Sequence, residues 1–332
     1  VVILPANLTQ QYLKAEQRYR QAGTPEDELE CLQVMLKELP KHKGTDKLQA
    51  DLKSKISRLK KELASPQTGA AKRSQRIPRQ GAGRAVIIGG PNSGKSQLLA
   101  TYTQAQPTIA EYPFSTVQPQ PGMMPWQDVM VQLIDTPPIT ADVYDANTQS
   151  LIRGADLVLL MCDLGSDEGG QQVRDVWRQI NQTKTRLGRE TSIDEQDLGI
   201  TYTQTFFLPN KVDLSEAGDR LEFFQEYIEF DLEIYAISAL QAIGTDDLRD
   251  AIYASLGVIR VYTKTPTQKV DECGVPFTLR PGDQVLDLAE LVHKDVARNF
   301  KFAKVWGSQV HDGTQVKGDY VVNDGDVIEL HV

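Results

Sequence analysis

Leu29, Leu32, Leu36 and Leu39 recur three or four residues apart, and a second series, Leu48, Leu52, Ile56, Leu59 and Leu63, steps by four, four, three and four. Each series traces one apolar stripe along a helix. Thr24-Pro25-Glu26-Asp27 supplies a start signal for the first: an N-cap hydroxyl, proline at the first helical position and acids in the first turn. Lys53, Lys55, Arg58, Lys60 and Lys61 fall between the apolar positions of the second, which predicts an amphipathic helix with a cationic outer face. Antiparallel packing would bury the leucines, so residues 1–64 read as a helical domain. Residues 65–83 lose all periodicity and mix proline, glycine, serine and basic residues, the composition of a linker.

From Arg84 the period changes. Ala85–Ile88, Val129–Ile134, Leu157–Cys162, Phe206–Leu208 and Ile234–Ile237 read as strands, and helical stretches such as Gln171–Thr183 and Arg220–Ile228 alternate with them. Alternating βα units predict an α/β domain over 84–258, its parallel sheet covered by helices, with ligands beyond the carboxyl ends of the strands. After Ile259 shorter strand-like pieces, Val261–Thr265, Phe277–Leu279, Lys304–Trp306 and Val327–His331, surround one helix near Val285–Lys294. Pro281-Gly282-Asp283 and Asn323-Asp324-Gly325-Asp326 are turn signals between them. Residues 259–332 therefore read as a small α+β binding module.

Charge adds an asymmetry. The chain carries a net −9, yet Lys37 to Arg79 holds 13 Lys/Arg against 4 Asp/Glu, a local +9 that leaves −18 for the rest. Two readings stand: a segment that meets an anion, RNA above all, or a solvated helix face. The C-terminal module is not basic, with 8 Lys/Arg and 11 Asp/Glu from Tyr262 to Val332, although Lys294, Arg298, Lys301 and Lys304 lie near Phe300, Phe302 and Trp306. The alternation of those aromatics favours core positions over a base-stacking surface. Cys31, Cys162 and Cys273 stand far apart with only four histidines, which excludes a disulfide framework and a zinc cluster and points to a reducing, cytoplasmic setting. No stretch has the ~20 apolar residues of a membrane span, and no signal-peptide layout opens the sequence.

The chemistry begins at Gly89-Gly90-Pro91-Asn92-Ser93-Gly94-Lys95-Ser96, a phosphate-loop pattern between a strand and a helix. Its glycines let the backbone wrap a phosphate, and successive N–H groups and the helix N-terminus face the oxygens. The nucleotide-contacting set here is Gly89, Pro91, Asn92, Ser93, Gly94, Lys95, Ser96 and Gln97. Lys95 reaches the β- and γ-phosphates, and the Ser96 hydroxyl ligates Mg²⁺. Asn210-Lys211-Val212-Asp213 selects the base, because a carboxylate at Asp213 accepts from both donors on one edge of guanine and adenine has no such pair. A backbone N–H of Ser238-Ala239-Leu240 meets the guanine oxygen. The nucleotide is thus GTP or GDP. Asp135 closes a strand as an acid that holds Mg²⁺ through water. Thr116, in Tyr112-Pro113-Phe114-Ser115-Thr116, fits a threonine that meets Mg²⁺ and the γ-phosphate, or else is an ordinary loop residue. Lys95 and Thr116 are the candidate catalytic groups; no side chain stands out as a base.

The order GGPNSGKS, YPFST, DTPP, NKVD, SAL resembles the Obg-type GTPases, and within them the developmentally regulated GTP-binding protein family. KLQADLKSKISRLKKEL before the linker, VIRVYTK after the core and FKFAKVWG near the end extend the resemblance over nearly the whole chain. The last 70 or so residues resemble a TGS domain, a ubiquitin-like β-grasp module also found in threonyl-tRNA synthetases and stringent-response enzymes. The resemblance implies a translation-linked GTPase that meets the ribosome or structured RNA through its basic N-terminal region and TGS domain, with an activating protein partner. It also bears on Asn92, which matches a residue that helps hold K⁺ in potassium-stimulated relatives; the other reading is that Asn92 stabilises the turn of its own loop.

Two departures stand out. The family motif D-x-P-G reads Asp135-Thr136-Pro137-Pro138 here, and proline lacks the N–H that the glycine gives to the γ-phosphate. The switch segment that follows, Ile139–Asn147, is short, and Ile139 takes the place where many GTPases carry a water-orienting glutamine. A slow Mg²⁺-dependent GTPase switch is the first reading. A nucleotide-holding RNA or ribosome adaptor with little hydrolysis is the second, and an ATPase is disfavoured by Asp213.

Overall fold

The computed structural model describes residues 8–22, 25–40, 45–64, 77–103, 118–194, 200–227, 230–270 and 273–332. The chain divides into two compact units, Val1–Met123 with Gln132–Leu248, and Met124–Val131 with Arg249–Val332. Thr24, the YPFST segment with Thr116, and most of the 65–83 stretch lie outside the described residues.

The first unit opens with α1 (Gln10–Gln21), α2 (Pro25–Glu38) and α3 (Asp46–Ala64). The Thr9 hydroxyl caps α1, accepting from the Tyr12 N–H at 3.1 Å. Leu32, Leu39, Leu52 and Leu59 are buried together with Tyr12 and Met35, so the two leucine stripes meet as their spacing predicts. One basic residue departs from expectation. Lys55 does not share the outer face with Lys53, Lys60 and Lys61: it pairs with Asp51 at 3.2 Å and lies near the Tyr19 ring. Asp51 also reaches Lys184 at 3.3 Å, and this shared carboxylate draws Lys55 inward.

Then come β1 (Arg84–Gly89), α4 (Lys95–Tyr102), β2 (Gln120–Trp126), β3 (Val129–Asp135), α5 (Ala146–Arg153), β4 (Leu157–Asp163), α6 (Gly169–Asn181), β5 (Thr185–Gly188), β6 (Ser192–Ile193), β7 (Thr201–Asn210), α7 (Ala217–Tyr227), β8 (Glu233–Ile234) and α8 (Thr245–Ser255). The strands order as β2-β3-β1-β4-β7-β5, with β6 and β8 also on β7. β1 runs parallel to β3 and β4, and β7 runs parallel to β4, β5 and β8; β6 is antiparallel to β7. This is an α/β fold. The continuous apolar runs of β1 and β4 are buried along their length, as strands covered on both faces must be.

Two strand expectations change. The stretch Ile234–Ile237 gives only Ile234 to a strand, β8, and a single bridge from Ile237 to Asn210, although the Tyr235 and Ile237 N–H groups still donate to the Phe207 and Pro209 carbonyls of β7 at 2.9 and 2.8 Å. β2 went unpredicted: it contains Pro121, Gly122 and Pro125, which weaken a strand signal but are tolerated at the edge position it occupies.

The second unit holds β9 (Ile259–Thr263), β10 (Phe277–Leu279), α9 (Val285–Val292), α10 (Lys294–Arg298), β11 (Phe302–Gly307), β12 (Val310–Val316) and β13 (Val327–His331). Their order is β10-β9-β13-β11-β12, with β9 and β13 parallel at the centre and the other pairs antiparallel, a β-grasp arrangement. A capping box of Gln284 and Asp287 starts α9, whose Val285, Leu288 and Ala289 are buried. Strand alternation puts Ala303 and Val305 in the core. Phe302 and Trp306 therefore fall on the other face, contrary to their expected core role; Phe302 stacks on His331 at 4.3 Å and Trp306 receives Lys264 at 4.3 Å. The β2–β3 turn belongs to this unit. Arg260 pairs there with Asp128 at 3.2 Å and Asp324 at 3.1 Å, and Trp126 stacks on Tyr253 at 3.5 Å.

Among the described residues no helix is long and apolar enough to cross a membrane. None of Cys31, Cys162 and Cys273 is in a disulfide.

Candidate nucleotide site

β1 ends at Gly89, the loop turns, and α4 begins at Lys95. Gly94 takes φ +94°, and a Cβ there would come within 2.1 Å of Asn210 Nδ2. A Cβ on Gly89, at φ +155°, would meet the Met161 carbonyl at 2.7 Å. Both positions thus need glycine on grounds of space and, at Gly94, of backbone conformation. Asn92 is exposed at φ +57°, a left-handed position that asparagine tolerates. Ser93 turns inward and its hydroxyl donates to the Gly90 carbonyl at 2.9 Å.

Lys95 is curled into this loop. Its ammonium donates to the Gly90 carbonyl at 2.7 Å and to Gly89 at 3.3 Å, and no carboxylate shares those contacts. Burial pushes it down to about 8, against a partial upward pull from Asp135. A buried cation held by two loop carbonyls and, at 3.4 Å, the Ser93 hydroxyl, with no ion pair among the described residues, suits a phosphate. At the next position the Ser96 hydroxyl donates to Asp135 Oδ2 at 2.5 Å. A hydroxyl and a carboxylate are the hard oxygen donors Mg²⁺ takes beside phosphates, so this pair fits the ion.

The Asn210–Asp213 and Ser238–Leu240 segments close on the loop from the other side. Asn210 is buried at the end of β7; its amide donates to the Ser93 carbonyl at 2.8 Å, and its Oδ1 accepts from the Ala239 N–H at 2.9 Å. Asn210 thus holds three segments together, with both ends of its amide engaged. With the Ala239 N–H taken, the N–H left at that edge is Leu240's. Ser238 is buried, and its hydroxyl accepts from the Gln241 N–H at 3.1 Å. Asp213 is exposed, with no hydrogen-bond partner among the described residues. Lys211, at φ +73°, donates to Asp163 at 2.7 Å.

The loop after β3 is pinned. The Ile139 N–H donates to the Gly89 carbonyl at 3.1 Å, the Ile139 side chain is 2% exposed in the main core, and the Thr140 N–H donates to Val143 at 3.1 Å. Pro138, immediately before them, is buried. Gln97 sits half-buried in the first turn of α4.

The structure therefore brings the 89–97 loop, Asp135, Asn210, Lys211 and Ser238–Leu240 to one place. Two positioning contacts were not read from the sequence. Asp163 orients Lys211, and its signal was available as an acid ending the β4 apolar run. The Thr101 hydroxyl donates to the Ala239 carbonyl at 2.7 Å, and nothing in the sequence marks it.

Residues 84–194 match the family model described as 50S ribosome-binding GTPase, and residues 259–332 match the TGS domain model. The chain thus carries a P-loop GTPase domain and a C-terminal TGS domain. It is 27% identical to an uncharacterized GTP-binding protein of Methanocaldococcus jannaschii, with 92% of each chain covered. It is 25% identical to developmentally-regulated G-protein 1 of Arabidopsis thaliana over 87% of each chain. Among solved structures, Aquifex aeolicus Era bound to GDP and AlF4− aligns with a TM-score of 0.39 and 20% identity, covering 67% of this chain and 71% of that one.

Proposed function

We propose that the chain is a Mg²⁺-dependent GTP-binding protein of the Obg type, within the developmentally regulated GTP-binding group, and a slow GTPase linked to the ribosome. The observation that carries this reading is the convergence, through Asn210, of the phosphate loop with the two segments that would read guanine. Asp213, exposed beside them, takes the base edge, and Leu240 offers the N–H for the guanine oxygen. Gly89 to Gln97 cradle the phosphates, with Lys95 swinging from loop carbonyls to phosphate oxygens. Ser96 and Asp135 hold Mg²⁺, which when bound offsets charge on the phosphates. Thr116 is assigned the second Mg²⁺ contact from its motif. Turnover without a partner is on the order of 10⁻³ s⁻¹ or less, since Ile139 takes the place of a water-orienting glutamine. Asn92 is a ligand for K⁺ on this reading, and the rate should rise when K⁺ replaces Na⁺.

The partner is ribosomal or structured RNA, met through the exposed lysines of α3 and the TGS domain, with a separate protein activating hydrolysis. A second reading, an adaptor that keeps a nucleotide for structure, is favoured by one observation: the pinned Pro138–Ile139 segment offers no N–H to a γ-phosphate. The deciding experiment measures affinities for GDP, a non-hydrolysable GTP analogue and ATP, with single-turnover hydrolysis with and without ribosomes. GTP-specific binding with ribosome-stimulated turnover upholds the GTPase. Equal GDP and GTP-analogue binding with no turnover in either condition upholds the adaptor, and tight ATP binding overturns both.

A further inference from the structure

The end of α1, residues 77–79, the start of β1 and one face of α5 enclose a cavity of about 70 Å³, apart from the phosphate loop. Four arginines line it: Arg20, Arg79, Arg84 and Arg153. Asn147 and Ser150, three residues apart on α5, add an amide and a hydroxyl. Glu28 is the one acidic residue in the lining.

The donors are only partly engaged. Arg79 donates to the Gly154 carbonyl at 2.5 Å and to the Asp156 carboxylate. Arg84 donates to Gln132 at 2.8 Å and to the Ile77 carbonyl at 2.7 Å, which leaves its Nη1. Arg20 gives Nε to Glu16 at 2.5 Å, while its Nη1 is buried with no hydrogen-bond partner among the described residues, on a side chain only 10% exposed. Arg153 lies over the Tyr19 ring at 5.8 Å. A buried guanidinium N–H without an acceptor is costly, and guanidiniums crowded together repel. Burial and the charge of Arg79 together hold Arg84 down to about 10.

We propose that this cavity is a second anion site, which takes one phosphate group and clamps α1 to α5. The volume suits a single tetrahedral oxyanion. Donors converging from α1, β1 and α5 suit its several oxygens better than a planar carboxylate. The phosphate is either a free ion or the terminal monoester of a longer molecule.

The test titrates inorganic phosphate into the full chain saturated with GDP and Mg²⁺, and into K95A, following ³¹P line width. Saturable binding is expected in both, roughly tenfold weaker in R20Q and in R153Q and tighter in E28Q, with GDP affinity unchanged in these three. R153Q guards against loss of the α1 fold in R20Q. A short RNA with and without a 5′-phosphate separates the sources: a preference for the phosphorylated form that R20Q and R153Q abolish assigns a terminal monoester, and no preference assigns the free ion. Absence of saturable binding, binding lost in K95A, or binding indifferent to both R20Q and R153Q overturns the proposal.

Discussion

Asn210 and Ser93 lie 117 positions apart and share a 2.8 Å hydrogen bond, while the other end of the same amide takes the Ala239 N–H. The Asn210 side chain thereby fixes the spacing between the phosphate loop, the end of β7 and the Ser238–Leu240 segment. Removing it strands a buried carbonyl and a buried N–H, each costing about 1–3 kcal/mol. Asn210→Ala should lower the melting temperature of the nucleotide-free protein and weaken GDP binding by more than tenfold. Asn210→Asp keeps the acceptor for Ala239 but loses the donor to Ser93, and should fall between. Calorimetric unfolding with and without GDP checks the order.

Lys95 supplies a pH signature. Its ammonium titrates at about 8 in the folded chain against the ordinary 10.5, so between these values the unfolded chain binds a proton that the folded chain does not. Stability must then rise with pH across that window, and below it a penalty of roughly 3 kcal/mol is fully present. Lys95→Met should stabilise the nucleotide-free protein at neutral pH and do little above pH ~10.5. Phosphate oxygens restore the proton, so GDP affinity should fall as pH rises through about 8, with proton uptake on binding. Titration calorimetry in buffers of different ionisation enthalpy measures that uptake directly.

How much of this was legible follows from range. The α3 stripe, the buried β1 and β4 runs and the glycines of the loop are local patterns, and the chain alone specifies them. β2 was hidden because edge position excuses its prolines, and edge position is a tertiary fact. Lys55 was misread for a similar reason: whether a lysine on a helix faces water depends on Asp51 and Lys184, the latter more than a hundred residues away. In the site, residue types and order named the loop and the Asn210–Asp213 and Ser238–Leu240 segments that meet it. The engagement of Asn210 with Ser93, and of Ile139 with Gly89, needed three dimensions.

The exposed lysines of α3 give a third test. Lys53, Lys60 and Lys61 line an open surface groove with Leu36 and Ile56, whereas Lys55 is held by Asp51. Replacing Lys53, Lys60 and Lys61 with alanine should weaken ribosome co-sedimentation and flatten its salt dependence by about three phosphate contacts. Lys55→Ala should instead lower stability and leave the salt slope alone. Equal slopes for the triple variant and the parent would remove α3 from the interface.

Arg260 gathers Asp128 and Asp324, and lies over the Trp126 ring at 5.5 Å. Its neighbours are partly exposed, so Arg260→Ala should cost only about 1 kcal/mol overall. The local effect should be larger. Amide hydrogen exchange at Gln127 and Asp128 should quicken, and Trp126 fluorescence should shift as the ring loses the cation above it. A variant with unchanged exchange at the turn would show that the Trp126–Tyr253 stack holds it unaided.

Pro138 carries the last prediction. The two nearest N–H groups that could replace the missing one are occupied: Ile139 donates to Gly89 and Thr140 to Val143. Freeing the Ile139 N–H would also pull a side chain that is 2% exposed out of the core. One absent hydrogen bond to a charged oxygen is worth about 1.5–3 kcal/mol, roughly ten- to a hundredfold in preference for the triphosphate. The parent protein should therefore bind GDP and a GTP analogue with similar affinity. Pro138→Gly restores an N–H and loosens the segment, and should tighten analogue binding by that factor while leaving GDP within about twofold. Competition binding against a fluorescent GDP measures both in one series. An equal gain for GDP would mean that proline acts through stiffness alone, and no gain for either would mean that the loop cannot reach the phosphate at all.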